Sequence, residues 1–352
     1  METARVFFSA HIDQAAIREL FEASLADLPS SITSTDHTAL KVHFGEEGNT
    51  RYVPPAHIQP VISTLKGHTP HIFLTDANTL YRGMRYNATD HRKIAQAHGF
   101  EGLETPIVIA DGEHGDEEEL VPIPGRIFRE VKIARAIAQA DAIVLISHFK
   151  GHVMFGFGGS IKNLGMGSGS RAGKMQMHST IHPAVIAVNC TGCGACAENC
   201  ANRAISLVGD VPVIDAALCT GCAKCIAVCE FGAIDVPWGG ATSRDVMART
   251  AEYALGAGLG KKIVCLTFIT NITKDCDCMP DTRLIGQDVG LVAGIDPVAC
   301  DQAAYDLVLQ AHGNEDIFQK ATRITGTYQI EHAAAIGLGT RAYHLETIPT
   351  ES

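Results

Sequence analysis

Eight cysteines in two copies of one spacing restrict this chain more than any other feature. Cys190, Cys193, Cys196 and Cys200 form C-x-x-C-x-x-C-x-x-x-C, and Cys219, Cys222, Cys225 and Cys229 repeat it with every cysteine shifted by 29 positions. The neighbours repeat too. Cys-Thr-Gly-Cys opens both copies, and Ala204-Ile205 and Ala233-Ile234 stand equally far past each final cysteine. Self-similarity at a fixed period marks an internal duplication of one structural unit rather than a scatter of thiols.

Two residues between thiolates let one tight loop wrap three corners of an iron–sulfur cubane. The three-residue gap carries the fourth cysteine onto a short helix that points at the other cluster. The expected cofactors are therefore two [4Fe–4S] clusters in a bacterial-type ferredoxin module. Cys190, Cys193, Cys196 and Cys229 are expected to hold the first, and Cys219, Cys222, Cys225 and Cys200 the second. Gly192, Gly194 and Gly221 let backbone N–H groups approach the sulfurs. Ile205, Val213, Ile226, Val228 and Ile234 are expected to keep water away. Zinc usually takes pairs of C-x-x-C rather than four close thiols repeated twice. The usual motif ends Cys-Pro, whereas Ala201 and Glu230 follow the fourth cysteines here. Proline is not a ligand, so this departure touches the potential and not the ligation.

On either side of the cysteines the pattern is α/β. Ala142–Ile146, Pro106–Ala110 and Ile263–Thr270 read as continuous apolar strands. Helices are expected over Asp13–Leu28, over Gly125–Ala140 with Ile127, Val131, Ala134 and Ala138 on one side, and over about Arg244–Leu255. Asp296-Pro297 opens another, since Asp caps orphan N–H groups and Pro has none to lose. Such alternation predicts a mostly parallel sheet with helices on both faces. The expected organisation is a first part of the α/β domain over 1–185, a ferredoxin-like insert over 186–238, and a second part over 239–352. Two separate α/β domains flanking the insert are the alternative.

A net charge of −11 argues against nucleic-acid binding. An acidic surface suits docking to a basic redox partner protein, though solubility alone also explains it. No stretch approaches the ~18–20 apolar residues of a spanning helix, and the first residues do not read as a signal peptide. No membrane contact and a cytoplasmic location are expected, where disulfides are rare. A homodimer is the default oligomer.

Three places outside the repeat carry candidate chemistry. His148, Lys150 and His152 follow an apolar strand and lead into the glycine-rich Gly156–Gly169 with Lys162 and Asn163. Ligands of open α/β sheets sit at such carboxyl ends. Either a small anion binds here or the loop is mobile packing against the insert. It is not a Walker loop, because Ser168 replaces the first glycine and Met175 follows Gly173-Lys174. Lys41 and His43 share one strand face, a pattern more often found at a solvated edge. Cys276 and Cys278, beside Asp275 and Asp277, either are structural, or bind a third metal with help from elsewhere, or relay redox change as thiols. Cys265 and Cys300 read as core. No Rossmann fingerprint is present, so tightly bound nicotinamide is not expected.

The segments Lys41–Glu46 with Gly48-Asn49-Thr50, Leu74–Tyr81, Lys162–Gly167, and Asp275–Cys278 with Asp296–Ala299 carry a family likeness over nearly the whole chain. Through them the chain resembles the uncharacterised iron–sulfur centre proteins of the domain-of-unknown-function 362 family, in the branch with a ferredoxin insert. The resemblance implies an α/β domain coupled to two cubanes and a redox role, and supplies no catalytic residues. The expected function is low-potential electron transfer through the clusters to a substrate or client on the α/β domain, by an oxidoreductase or reductive activator. Lys150, His152, Lys162 and Asn163 would orient an anionic substrate, and Cys276 and Cys278 would add redox or metal function. The alternatives are an electron carrier or scaffold without its own substrate, and a factor that assembles clusters or metal.

Overall fold

Strands from both ends of the chain meet in one eight-stranded sheet in the computed structural model, which describes residues 3–178, 182–280 and 283–348. From edge to edge the order is Tyr343–Thr347, Ala4–Ser9, Gly290–Gly294, Lys262–Ile269, Ala142–His148, Thr38–Val42, Ile72–Asp76 and Ile107–Ile109. Gly290–Gly294 pairs antiparallel with both neighbours, and every other pairing is parallel. The sheet thus mixes strands from before and after the cysteine-rich segment, which does not separate two independent α/β domains.

Both faces are covered, which is why the central strands Thr38–Val42 and Ala142–His148 are buried along their whole length. Alternation sends Cys265 and Ile269 into one apolar core and Val264, Leu266 and Phe268 into the other. Ile17, Leu20 and Phe21 of the helix Gln14–Ala26 and Ile58, Val61 and Leu65 of Pro55–Leu65 cover one face. The helices Ser243–Gly258 and Pro297–Ala311 cover the other. Asp13 caps the first helix by accepting from Ala16 N–H, and Asp296 caps the last of these from Val298 and Ala299 with Pro297 behind it.

The helix expected over Gly125–Ala140 does not form. Glu130–Ala134 is a strand paired antiparallel with Glu118–Pro122, and only Arg135–Ala138 is helical. The reason lies across the sequence. The carboxylate of Glu252, 0% exposed, accepts N–H bonds of 2.8 Å from Arg126, Ile127 and Phe128 and holds that segment open. Three donors depend on one buried carboxylate, so Glu252→Gln, which turns an oxygen into a donor, is expected to cost about 2 kcal/mol. A urea midpoint unchanged from wild type would show that these bonds do not matter.

The cysteine-rich segment is closed at its base where Ala184–Val185 pairs with Ile234–Asp235. Its duplication is written in the backbone. The short helices Ala195–Glu198 and Lys224–Ala227 are 29 residues apart, and so are the left-handed residues Gly192 and Gly221, Gly194 and Ala223, and Arg203 and Gly232. Ala204 N–H and Ala233 N–H each donate to the fourth cysteine of their own copy, Cys200 and Cys229, both at 3.2 Å. Ile205, Ile226 and Ile234 are buried, but Val228 is only partly buried and Val213, on a two-stranded hairpin, is 49% exposed. Those two positions shield less than the sequence suggested.

Candidate functional site

Parallel strands end at the same side of a sheet, and here Thr38–Val42, Ile72–Asp76 and Ala142–His148 end around one cavity of about 300 Å³. Lys41, His43, Lys150, His152, Lys162, Asn163, Cys276 and Cys278 all line it, although they come from four separate stretches of sequence. Asp76, Tyr81, Arg85, Lys174, His178 and Trp238 also line it, and no sequence pattern had marked them as site residues, although Asp76 and Tyr81 fall in the family-like segment Leu74–Tyr81. Asp76 carried one signal: it sits at the carboxyl end of a strand.

Lys41 does not lie at a solvated edge. Its strand is internal, the side chain is 1% exposed, and Nζ contacts Asp76 Oδ1 at 2.9 Å and Asn163 Oδ1 at 3.0 Å. Asn163 Nδ2 donates to Ile146 O and Ser147 Oγ, both at 3.1 Å, so its amide ties Lys41 to the neighbouring strand instead of facing a ligand. Arg85 Nη1 reaches Asp76 Oδ2 at 3.1 Å and Nε reaches Glu46 Oε2 at 3.3 Å. Burial pushes the Asp76 carboxyl up, but Lys41, His91 and Arg85 outweigh it and hold it well below the usual carboxylate range. Lys41 shifts the other way, downward, because burial outweighs the one carboxylate it shares with Arg85. The two directions agree with one anion serving two cations. Burial also lowers Lys174 to about 8 and His178 to about 4.

The C-x-C segment is clamped from all sides. Asp277 Oδ1 lies 2.9 Å from His148 Nδ1, and Oδ2 lies 3.2 Å from Lys150 Nζ. Asn49 Nδ2 donates to Met279 O at 2.8 Å, and Met279 N–H turns back to Cys276 O at 3.0 Å. Gly151 permits the close approach, since a Cβ there would meet Lys274 O at 2.2 Å. His43 Nδ1 accepts from Gly45 N–H at 3.0 Å, which leaves the proton of a neutral ring on Nε2, 3.2 Å from Cys278 Sγ. Arg85 Nη2 donates to the same sulfur at 3.3 Å. Cys276 adds its thiol as a further donor, and with His43 and Arg85 this holds Cys278 well below the ordinary thiol range. The same contact and burial push Cys276 up.

Among the described residues no group of three or more His, Cys, Asp and Glu side chains is placed to hold a single metal ion. At the C-x-C segment this follows from Asp277 being engaged by His148 and Lys150 and from an arginine standing beside Cys278. The repeat is a different case, because the sulfurs of a cubane each hold a separate iron. Cys190, Cys193, Cys196 and Cys229 line one hollow, the set drawn from both copies. Cys196, Cys225 and Cys229 are buried in an apolar cluster with Ile205, Ile226 and Ile234. Grouped sulfurs, an apolar surround and N–H donors to sulfur fit a thiolate-bound cubane.

The cysteine-rich segment abuts the cavity. Arg82 Nη1 donates to Glu230 O at 3.2 Å, Tyr86 Oη donates to Ile226 O, and Lys224 pairs with Asp116. Leu80 belongs both to the cavity wall and to the apolar cluster that contains Cys225 and Cys229. Trp238, the last residue of the segment, packs edge-on against His178 at 5.3 Å.

Residues 38–306 match the family described as Domain of unknown function (DUF362). Among solved structures, the lactate racemase apoprotein from Thermoanaerobacterium thermosaccharolyticum aligns at 12% identity and a TM-score of 0.40, covering 83% of this chain and 54% of that one. A protein from Thermotoga maritima aligns at 13% identity and a TM-score of 0.42, covering 86% of this chain and 60% of that one. The chain therefore spans little more than half the length of these two. No curated protein matches it.

Proposed function

The chain belongs to the DUF362 family, and from that premise we propose that it is an iron–sulfur oxidoreductase acting on a small anionic substrate in the cavity at the carboxyl ends of the strands. The observation that carries this reading is the sign of the wall. Lys41, Arg85, Lys150, Lys162 and Lys174 line the cavity, where Asp76 is the one carboxylate among the described lining residues. Glu46 and Asp277 pair with Arg85 and Lys150 from behind, so cations outnumber carboxylates in a chain of net charge −11. A concave, low-dielectric wall of one sign concentrates ligands of the other.

Cys190, Cys193, Cys196 and Cys229 would hold one [4Fe–4S] cluster and Cys219, Cys222, Cys225 and Cys200 the other; bound there, they supply single electrons at low potential. The remaining work falls to the chain's own groups. Leu80 belongs both to the apolar cluster around Cys225 and Cys229 and to the cavity lining, so the two sites share a wall. Among the described residues Lys162 has no carboxylate within ion-pair distance; its ammonium stands 5.6 Å from the centre of the Phe155 ring, leaving its charge for a ligand. His152 is kept neutral by burial and by Lys162, with Nδ1 accepting from Met154 N–H at 3.0 Å. Its Nε2 proton is then the one the ring can give to bound substrate.

Calorimetric titration with oxalate and with inorganic phosphate tests this reading. Binding is expected for at least one of them, and Lys162→Ala should weaken it about tenfold, the loss of one charged hydrogen bond. Absence of heat with both anions, or an affinity indifferent to Lys162→Ala, would overturn it.

A further inference from the structure

The two thiols of the C-x-C segment are unequal in ways that assign them separate tasks. Cys278 is partly exposed at the cavity, and its sulfur faces Nε2 of His43 at 3.2 Å and Nη2 of Arg85 at 3.3 Å. A sulfur surrounded by donors is an acceptor, which is the thiolate form, and the thiolate is the nucleophile. Cys276 is 9% exposed behind it, two residues away on a turn closed by Met279 N–H. A thiol in that place can reach its neighbour more easily than it can reach a substrate.

We propose that Cys278 and Cys276 are the attacking and resolving thiols of a dithiol–disulfide couple, and that its substrate is a small anionic disulfide or another anion with an electrophilic sulfur. The Cys278 thiolate attacks one sulfur of the substrate, R–S–S–R′. A Cys278–S–S–R bond forms, the substrate S–S bond breaks, and R′S− departs. Cys276 then attacks Cys278 Sγ, forming the internal disulfide and breaking the mixed one, and its proton passes to the departing RS−. The substrate has gained two electrons and the pair has lost two. Two single electrons from a low-potential iron–sulfur donor, entering by way of the cysteine-rich segment, and one proton then cleave the internal disulfide and restore a Cys276 thiol and a Cys278 thiolate. Two one-electron centres and one two-electron couple match in stoichiometry. The cationic wall selects the charge of the substrate, while His43 and Arg85 keep the nucleophile ionised.

This rests on the anion-binding reading of the cavity, and the experiment separates the two. Trypsin cutting after Lys274 and Arg283 releases residues 275–283, which contain both cysteines and no other. Iron-loaded, pre-reduced full-length chain is exposed without oxygen to glutathione disulfide or to cystamine, quenched by alkylation and mapped by mass spectrometry. Wild type is expected to convert the peptide to its internal disulfide, at least tenfold faster with anionic glutathione disulfide than with cationic cystamine. Dithionite should then return it to two alkylatable thiols. Cys276→Ser should trap glutathione on Cys278, and Cys278→Ser should trap none. His43→Ala should move the alkylation pH profile of Cys278 upward, a change that lost packing alone would not produce. Persistent double alkylation in wild type, equal rates with the two disulfides, or an adduct on Cys276 would each overturn the proposal. Oxalate or phosphate binding that survives such a result would leave the anion-site reading standing, and the wild-type arm decides even if a variant misfolds.

Discussion

Asp76→Ala is expected to lower the free energy of unfolding by about 3–5 kcal/mol, the range for removing one partner from a buried ion pair. Asp76 is the carboxylate between Lys41 and Arg85, and those side chains are 1% and 2% exposed. Arg85 keeps Glu46, while Lys41 keeps only the amide oxygen of Asn163, so the alanine variant leaves an ammonium buried against a guanidinium. Whole-protein stabilities are about 5–15 kcal/mol, so a loss of this size takes much of the margin. Asp76→Asn keeps the volume and isolates the charge. The pH dependence has a definite sign. A carboxyl held below its unfolded value of 3.8 contributes stability that is full above that pH and lost as pH falls through the folded value. The gap between wild type and Asp76→Asn should therefore be widest near neutrality and narrow below about pH 4. Urea unfolding at several pH values measures it. A neutral-pH difference under about 1 kcal/mol, typical of exposed pairs, would mean that solvent reaches the network.

The same residues show where sequence reading stops. The strands were legible because a parallel sheet covered on both faces needs continuous apolar runs, and Ala142–Ile146 is one. Helix starts were legible at Asp13, where apolar residues recur at helical spacing, and at Asp296, where capping is local chemistry. Lys150, His152, Lys162, Cys276 and Cys278 stood out because they follow strands or interrupt glycine-rich and acidic stretches. What failed depended on distant partners. Val131, Ala134 and Ala138 mimic a helical stripe, and the deciding Glu252 lies more than a hundred residues on. Lys41 looked like an edge residue because strand order is set by crossovers, not by neighbours in sequence. Arg85 sits in a loop rich in bends, and no local pattern announces that its guanidinium will be buried among Asp76, Glu46 and Cys278.

The largest effect concerns iron. Two cubanes predict about eight iron and eight sulfide per chain after anaerobic reconstitution. Which cysteines serve which cluster can be read from counts alone, because the proposed ligation is crosswise. Cys229 shares its hollow with Cys190, Cys193 and Cys196, and since the backbone is duplicated, with matching N–H bonds to Cys200 and Cys229, the proposal assigns Cys200 the corresponding place at the second cluster. Changing Cys190, Cys193 and Cys196 together to Ser should therefore remove one cluster and leave about four iron. Adding Cys200→Ser to that variant should take a ligand from the surviving cluster and lower the count further, with a changed electron-paramagnetic signal. If each copy instead held its own cubane, Cys200 would already be idle in the triple variant, and its loss would change nothing. Cys276→Ser and Cys278→Ser lie outside both sets and should leave iron at the wild-type level. A fall in iron in either would tie the C-x-C thiols to the clusters and undo their assignment to the cavity.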